Sequence, residues 1–230
     1  YGNKTVISVP IEYSNAESII NEELPKSKYF IKTTKDSNFE KDNWSVFFPA
    51  GTFYDDFYMD FDVEDSIMTV QNDLTPVNNT FLVTVLNNSP LNDSKTFIAS
   101  VKNGKLTYNN TKRIDNTFST YTKKLGQFTL SKDTIAPKVN ITKSIEGKWI
   151  TNQKAVQINI SDEMSGINTY NGYINGKWVL FEYEHKNNKI THYFDENFLQ
   201  EGENVLKVEV TDNVGNSTIF ETHFFRSQKK

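Results

Sequence analysis

The sequence predicts an all-β protein built from two consecutive β-sandwich domains, the second immunoglobulin-like, and three observations predict it. Apolar and polar residues alternate with a period of two through much of the chain, and no sustained helical period appears. The alternating runs are short, and Asn, Asp, Gly and Pro separate them at roughly 8–12-residue spacing, the pattern of a sandwich. The stretch Asp133-Thr134-Ile135-Ala136-Pro137 then interrupts one strand series before another begins. Proline fixes its own φ and pushes the preceding residue into an extended conformation, so this stretch is expected to be a short, stiff linker. The expected organisation is an N-terminal sandwich over 1–132, a linker over 133–137 and a C-terminal sandwich over 138–230. A chain of 230 residues suits two domains, each with its own core.

The alternation is clearest over residues 53–64. Phe53, Phe57, Met59, Phe61 and Val63 share one face, and Tyr54, Asp56, Tyr58, Asp60, Asp62 and Glu64 share the other, as in a strand with one dry side. Runs 6–11, 29–33, 44–48, 81–86, 96–101 and 127–130 are also expected to be strands, and 16–23 alone has the pattern of a short helix. Beyond the linker, Val156, Ile158 and Ile160 alternate with polar residues, as do Leu206, Val208 and Val210, and Phe220, Thr222 and Phe224 close the series. Asn175-Gly176 tolerates the positive φ of a type I′ turn and sets Tyr173 opposite Trp178. Asn187-Asn188 is expected to turn a second hairpin, with Phe181, Tyr183 and His185 sharing a face with Ile190, His192 and Phe194.

Composition narrows the function classes. Aromatic residues make up 13% of the chain, too many for disorder, because each removes a large area from water on burial. The net charge of -4 argues against a nucleic-acid partner, which calls for a clustered basic surface. No apolar run has the length of a membrane span. The absence of cysteine excludes thiol catalysis, disulfides and Cys-ligated metal. The opening Tyr1-Gly2-Asn3, without Met or a signal-peptide pattern, is expected of a processed piece whose targeting information has been removed.

Two loops punctuate the second strand series. Ser161-Asp162-Glu163-Met164-Ser165-Gly166-Ile167 follows one strand and Thr211-Asp212-Asn213-Val214-Gly215-Asn216 follows another. Asp and Asn side chains bond nearby backbone N–H groups there, and Gly supplies the left-handed conformation that closes each turn. These loops resemble the D-x-x-S-G-I and D-N-x-G-N signatures of bacterial Ig-like modules, which implies a fold and no particular ligand. A wider resemblance rests on Phe48-Pro49-Ala50-Gly51-Thr52-Phe53-Tyr54-Asp55-Asp56, on Leu125-Gly126-Gln127-Phe128 and on Ile174-Asn175-Gly176-Lys177-Trp178. Together with the linker, these look like the C-terminal, non-catalytic region of lysostaphin-type (LytM-like) exported zinc metallopeptidases. That family holds zinc with H-x-x-x-D and H-x-H segments, and neither occurs here, the three histidines being His185, His192 and His223. The resemblance therefore implies a peptidase domain upstream of this chain in the same polypeptide. It also implies an exported location: periplasmic, outer-membrane-associated or at the cell surface.

Candidate chemistry is sparse. His185 and His192 are diagonal neighbours on one face of the expected hairpin, but a structural zinc site wants four ligands and no third converges, so packing beside Tyr183 is the favoured reading. Asp60 and Asp62 stand about 6.5–7 Å apart by strand rise, at the lower edge of an inverting-glycosidase spacing. Their solvated setting gives neither a reason for the raised pKa of a general acid. Calcium is the more plausible ion, with Asp162, Asp212, Asn213 and Asn216 supplying hard oxygens from two loops that would meet only at the same end of the sandwich. Turn capping by these same residues is the competing and favoured explanation. Tyr173, Trp178 and Tyr183 are the candidate ligand-binding residues, as an aromatic platform for a sugar, weighed against plain packing. No nucleophile motif and no phosphate loop is present. The expectation is thus a non-catalytic accessory region with no cofactor other than calcium. The rival is a free-standing surface adhesin or carbohydrate-binding or peptidoglycan-binding module, whose partner is a cell-wall or surface glycan.

Overall fold

The computed structural model describes residues 4–13, 27–87 and 94–227. The first twelve strands in chain order are β1 (Tyr29–Ile31), β2 (Ser37–Lys41), β3 (Trp44–Phe48), β4 (Phe57–Met59), β5 (Phe61–Glu64), β6 (Ile67–Val70), β7 (Phe81–Leu86), β8 (Thr96–Lys102), β9 (Lys105–Tyr108), β10 (Lys112–Ile114), β11 (Thr117–Thr122) and β12 (Gly126–Lys132). They form two five-stranded sheets, in the orders β10-β11-β7-β3-β2 and β5-β6-β12-β8-β9, with β1 and β4 as a separate pair. Alternation explains how they pack. Trp44, Val85 and Phe118 lie opposite one another in register across three strands, and Met68 lies opposite Phe128 in the facing sheet. All five are buried in one apolar cluster. Full burial of a side chain such as Phe118 contributes about 1.5–3 kcal/mol.

Two sequence expectations need correction here. Residues 6–11 form no strand: Val6, Ile7, Val9 and Ile11 are exposed and pair with no strand among the described residues. Pro10 removes a ladder donor in the middle of that run. Residues 53–64 hold two short strands rather than one: 53–56 lie outside any strand, with Phe53 only in an isolated bridge to Val77, and Asp60 is a corner between the two. Its N–H donates to Gln71 Oε1 at 2.9 Å and its carbonyl accepts from Gln71 N–H at 2.7 Å. The chain therefore leaves β1 at Met59 and joins β6 from Phe61, while Met59, Phe61 and Val63 remain buried. The helix expected over 16–23 lies outside the described residues.

The remaining strands are β13 (Lys138–Ile141), β14 (Lys148–Trp149), β15 (Ala155–Ser161), β16 (Ile167–Ile174), β17 (Lys177–Val179), β18 (Glu182–Glu184), β19 (Lys189–Tyr193), β20 (Gly202–Asp212) and β21 (Ser217–Arg226). One sheet runs β13-β15-β19-β18 and the other β14-β21-β20-β16-β17. Named in chain order, these are the A-B-E-D and A′-G-F-C-C′ sheets of an immunoglobulin sandwich. All pairings are antiparallel except β14 with β21, which is parallel. Val156, Ile158, Ile160, Leu206, Val208 and Val210 point inward into a second apolar cluster, as their alternation requires. The Asn175-Gly176 turn has φ of 50° and 78°, which fits a two-residue hairpin loop, and Tyr173 does stand opposite Trp178. The second hairpin turns differently from expectation. Its loop spans residues 185–188, with a 3₁₀ turn and a single left-handed residue, Asn188 at φ 49°. The register moves by two residues, which keeps Tyr183 and Ile190 on one face and makes them direct partners.

Gly172 on β16 has no side chain because the ring of Phe181 occupies that space: a Cβ there would lie 2.2 Å from Phe181 Cε2. Gly172→Ala is expected to displace that buried ring and lower stability by about 1–3 kcal/mol, read as a drop in the urea midpoint with unchanged m-value.

Candidate functional site

The junction between the two sandwiches gathers three carboxylates. Oxygen atoms of Asp133, Asp162 and Asp212 lie within 4.8 Å of one another, and Asp133 and Asp212 are essentially inaccessible to solvent. Each is there because a tight turn needs it. Asp212 Oδ1 accepts from the N–H groups of Val214 (2.9 Å) and Asn216 (2.7 Å), and Oδ2 accepts from the Asn216 amide at 2.6 Å. Asp162 Oδ2 accepts from Met164 N–H (3.1 Å) and Gly166 N–H (2.7 Å). Asp133 Oδ1 accepts from Ile135 N–H, and Oδ2 reaches across the junction to Ser165 N–H, both at 3.0 Å. Seven N–H groups thus serve three carboxylates whose oxygens offer about four acceptor sites each. Burial, and then the charges of Asp133 and Asp212, push the Asp162 carboxyl above its ordinary range.

The structure brings Asp162 and Asp212 together at one end of the sandwich but gives the two asparagines another role. The Asn213 amide donates to the carbonyls of Ser165 (2.8 Å) and Gly166 (3.2 Å), and the Asn216 amide donates to Asp133 O and Asp212 Oδ2. Both therefore present N–H groups and tie loops together, where the sequence reading had them offering oxygen ligands. The third acid is Asp133, in the segment read only as a stiff linker. The signal for it was local: an Asp two residues before Ile135, free to accept that residue's N–H in an Asx turn. Two further bonds hold the connection: Lys95 Nζ donates to Val214 O (3.0 Å) from the first sandwich to the second, and Thr218 Oγ1 donates to Pro137 O (2.6 Å) at the end of the linker.

The aromatic candidates do not form one platform. Tyr173 and Trp178 lie side by side on the outer face of the β14-to-β17 sheet, with Lys207 Nζ over the Tyr173 ring at 5.9 Å. Trp178 Nε1 donates to Asn171 Oδ1 at 3.3 Å. Tyr183 belongs to the other sheet and packs against the core and Tyr170. Sequence reasoning passed over Trp149, which is 65% exposed at the edge of the sheet.

The histidine pair separates as well. His185 is exposed and stacks on Tyr183, with ring centroids 4.2 Å apart. His192 is buried between Phe181 and Phe194, and its Nδ1 donates to Leu180 O at 2.8 Å. The reading of both as packing beside Tyr183 therefore holds for His185 and not for His192. Asp62 is held by Lys41, whose hydrogen bond keeps the carboxyl below its ordinary range, the opposite of what a general acid requires. No helix among the described residues is long and apolar enough to cross a membrane.

Comparison with known proteins adds fold and little else. Residues 28–133 match the model of the Zu5-like domain family, just under half of the chain. No curated protein matches. Among solved structures, the fibronectin(III)-like modules of Clostridium thermocellum CbhA align at 12% identity and a TM-score of 0.34, covering 65% of this chain and 86% of theirs. A pair of tandem Ig domains of titin aligns at 11% identity and a TM-score of 0.29, covering 66% of this chain and 90% of theirs. Likenesses of that size say nothing about function. The strand order defines a β-sandwich module whose residues 28–133 are similar to the Zu5-like domain and whose later strands have immunoglobulin topology.

Burial lowers the pKa of His192, so the unfolded chain binds a proton there more readily than the native protein does. Its contribution to stability is complete above the unfolded value of about 6.5 and is lost as pH falls through that value toward the lower folded one. Asp162, raised in the native state, has the opposite sign and acts nearer the carboxylate range, where protonation relieves it. Urea midpoints are expected to fall from about pH 7.5 to about pH 5.5. His192→Gln, which keeps a donor for Leu180 O, is expected to flatten that slope.

Proposed function

We propose that this chain is a non-catalytic accessory region of an exported cell-envelope protein, which positions or tethers a zinc peptidase domain lying upstream in the same polypeptide. The supporting observation is the junction. Two sandwiches joined by a bare linker would swivel, whereas here Lys95 bonds directly from the first sandwich to Val214 of the second, Asp133 N–H donates back to Lys95 O, and Ser165, Asn216 and Thr218 hold the linker to the second sandwich. A joint so held makes a bracket of fixed shape, useful for holding one body at a set distance from another. The peptidase partner, the periplasmic, outer-membrane or cell-surface location and contact with wall or surface glycan come from the motif resemblance. The domain limits 1–132 and 138–230, with 133–137 between, belong to the same reading. The parent gene decides it: an upstream region with H-x-x-x-D and H-x-H segments is expected, and a parent without them overturns the peptidase role.

Calcium at the junction is part of this proposal. Three hard carboxylates within 4.8 Å suit a cation that takes six to eight oxygens, and Asp162 Oδ1 accepts none of the seven N–H groups. Ser165, whose N–H reaches Asp133, carries a buried Oγ without a hydrogen-bond partner. With a Kd on the order of 10⁻⁴ M, typical of extracellular modules, about 2 mM calcium adds roughly 1.8 kcal/mol of stability. Calorimetry is expected to show Tm rising by roughly 5 °C on calcium addition, reversed by EDTA and absent in Asp162→Asn. A melt indifferent to both calcium and EDTA leaves the carboxylates as turn caps alone.

A further inference from the structure

We propose that the groove beside Trp149 binds an acidic oligosaccharide. Trp149 lies on β14 opposite Phe225 of β21, and the two rings stack with centroids 5.3 Å apart at 32°. One side of the indole is therefore backed by protein, while 65% of the residue stays open to solvent. A single exposed aromatic is ordinary, but this one borders a groove of about 590 Å³. Around the indole the lining is polar: Ser144, Thr151, Asn152 and Gln153, with Lys143 and Lys148. Among the described residues no carboxylate lines it.

The groove is also held in shape from behind. The Arg226 guanidinium, 4.4 Å from the Phe194 ring, donates to the carbonyls of Thr151 (2.7 Å) and Gln153 (2.8 Å). Ser227 N–H donates to Thr151 Oγ1 at 3.1 Å, and Lys148 Nζ to Ser144 O at 3.0 Å. Preorganisation of this kind lowers the ordering cost of binding.

Each part of the groove matches one part of a charged sugar. The electron-rich indole face attracts the C–H face of a pyranose ring. Hydroxyls and amides complement ring hydroxyls, and the two ammonium groups suit a carboxylate or sulfate substituent. A peptide strand is the poorer fit, because β14 offers an edge of only two residues for pairing. The surface at Trp178 makes an internal contrast, since its smaller groove of about 300 Å³ includes Glu182 and Asp195, which repel an anion. This inference is independent of the peptidase reading and of junction calcium.

The test is a calorimetric titration of the whole chain at low salt with oligogalacturonate and hyaluronan hexamers against neutral chitohexaose. An acidic hexamer is expected to bind with a Kd on the order of 10⁻⁴–10⁻³ M. Trp149→Ala is expected to weaken it about tenfold, a loss the size of one good aromatic contact, with Trp149→Phe intermediate. The double variant Lys143→Gln, Lys148→Gln is expected to lose several-fold and much of the salt dependence, and Trp178→Ala to bind as the wild type does. Unchanged thermal melts separate lost binding from lost folding. Failure of both acidic hexamers to bind at about 10 mM, binding indifferent to Trp149, or equal affinity for chitohexaose would overturn the proposal.

Discussion

Buried charge is tolerated only where donors or counter-charges surround it, and the place where the two sandwiches meet is organised by that requirement. Asp133 and Asp212 are out of solvent, so each must be served by hydrogen bonds, and the donors come from the linker itself and from the turns of the second sandwich. Removing the 162–166 turn would leave the Asp133 carboxylate without its Ser165 partner. The Asp162 and Asp212 loops, which taken singly are ordinary Asx turns, become interdependent once Asp133 stands between them. The two apolar cores have no such dependence, because each closes on its own sheets. Cohesion within each half is therefore hydrophobic and non-directional, while the relation between halves is polar and directional.

Much of the fold was legible because sandwich strands report their two environments in alternate residues. Val156, Ile158 and Ile160 could not face inward in any other register, and the Asn175-Gly176 turn fixed its hairpin by conformation alone. Strands with weaker contrast escaped notice. β10, Lys112–Ile114, is exposed throughout, and β9 follows an Asn103-Gly104 turn that carried the same information as Asn175-Gly176. Residues 6–11 misled for the converse reason: apolar β-formers make a strand only where an edge receives them, and edge availability is a property of the assembled fold. Asp60 shows how a tertiary bond, from the side chain of Gln71, can break a pattern that is locally flawless.

Less of the candidate site was legible. Asp162 and Asp212 stood out because Gly and Asn accompany them in turn motifs, but whether two loops meet depends on strand connectivity. Asp133 lay in plain view beside Pro137 and was masked by it, the proline having explained the segment too readily. Trp149 was missed because a two-residue strand has no period to detect. Trp178, by contrast, sat beside a recognisable turn. Once the two sheets are assembled, Tyr183 belongs with the core, and the exposed indoles occupy separate surroundings that differ in charge.

The parallel pairing of β14 with β21 bears on how the chain would respond to tension. β14 follows β13 in the chain and β21 leads toward the C-terminal end, so once β13 is drawn from β15 a pull on the two ends draws β14 and β21 in opposite directions along their length. The bonds between them, among them Gly147 N–H to His223 O and Ile150 N–H to Phe225 O, both 2.9 Å, lie across that direction. They are strained together in shear, whereas a hairpin peeled from one end surrenders its bonds one at a time. A module anchored at both ends would thereby yield abruptly and late.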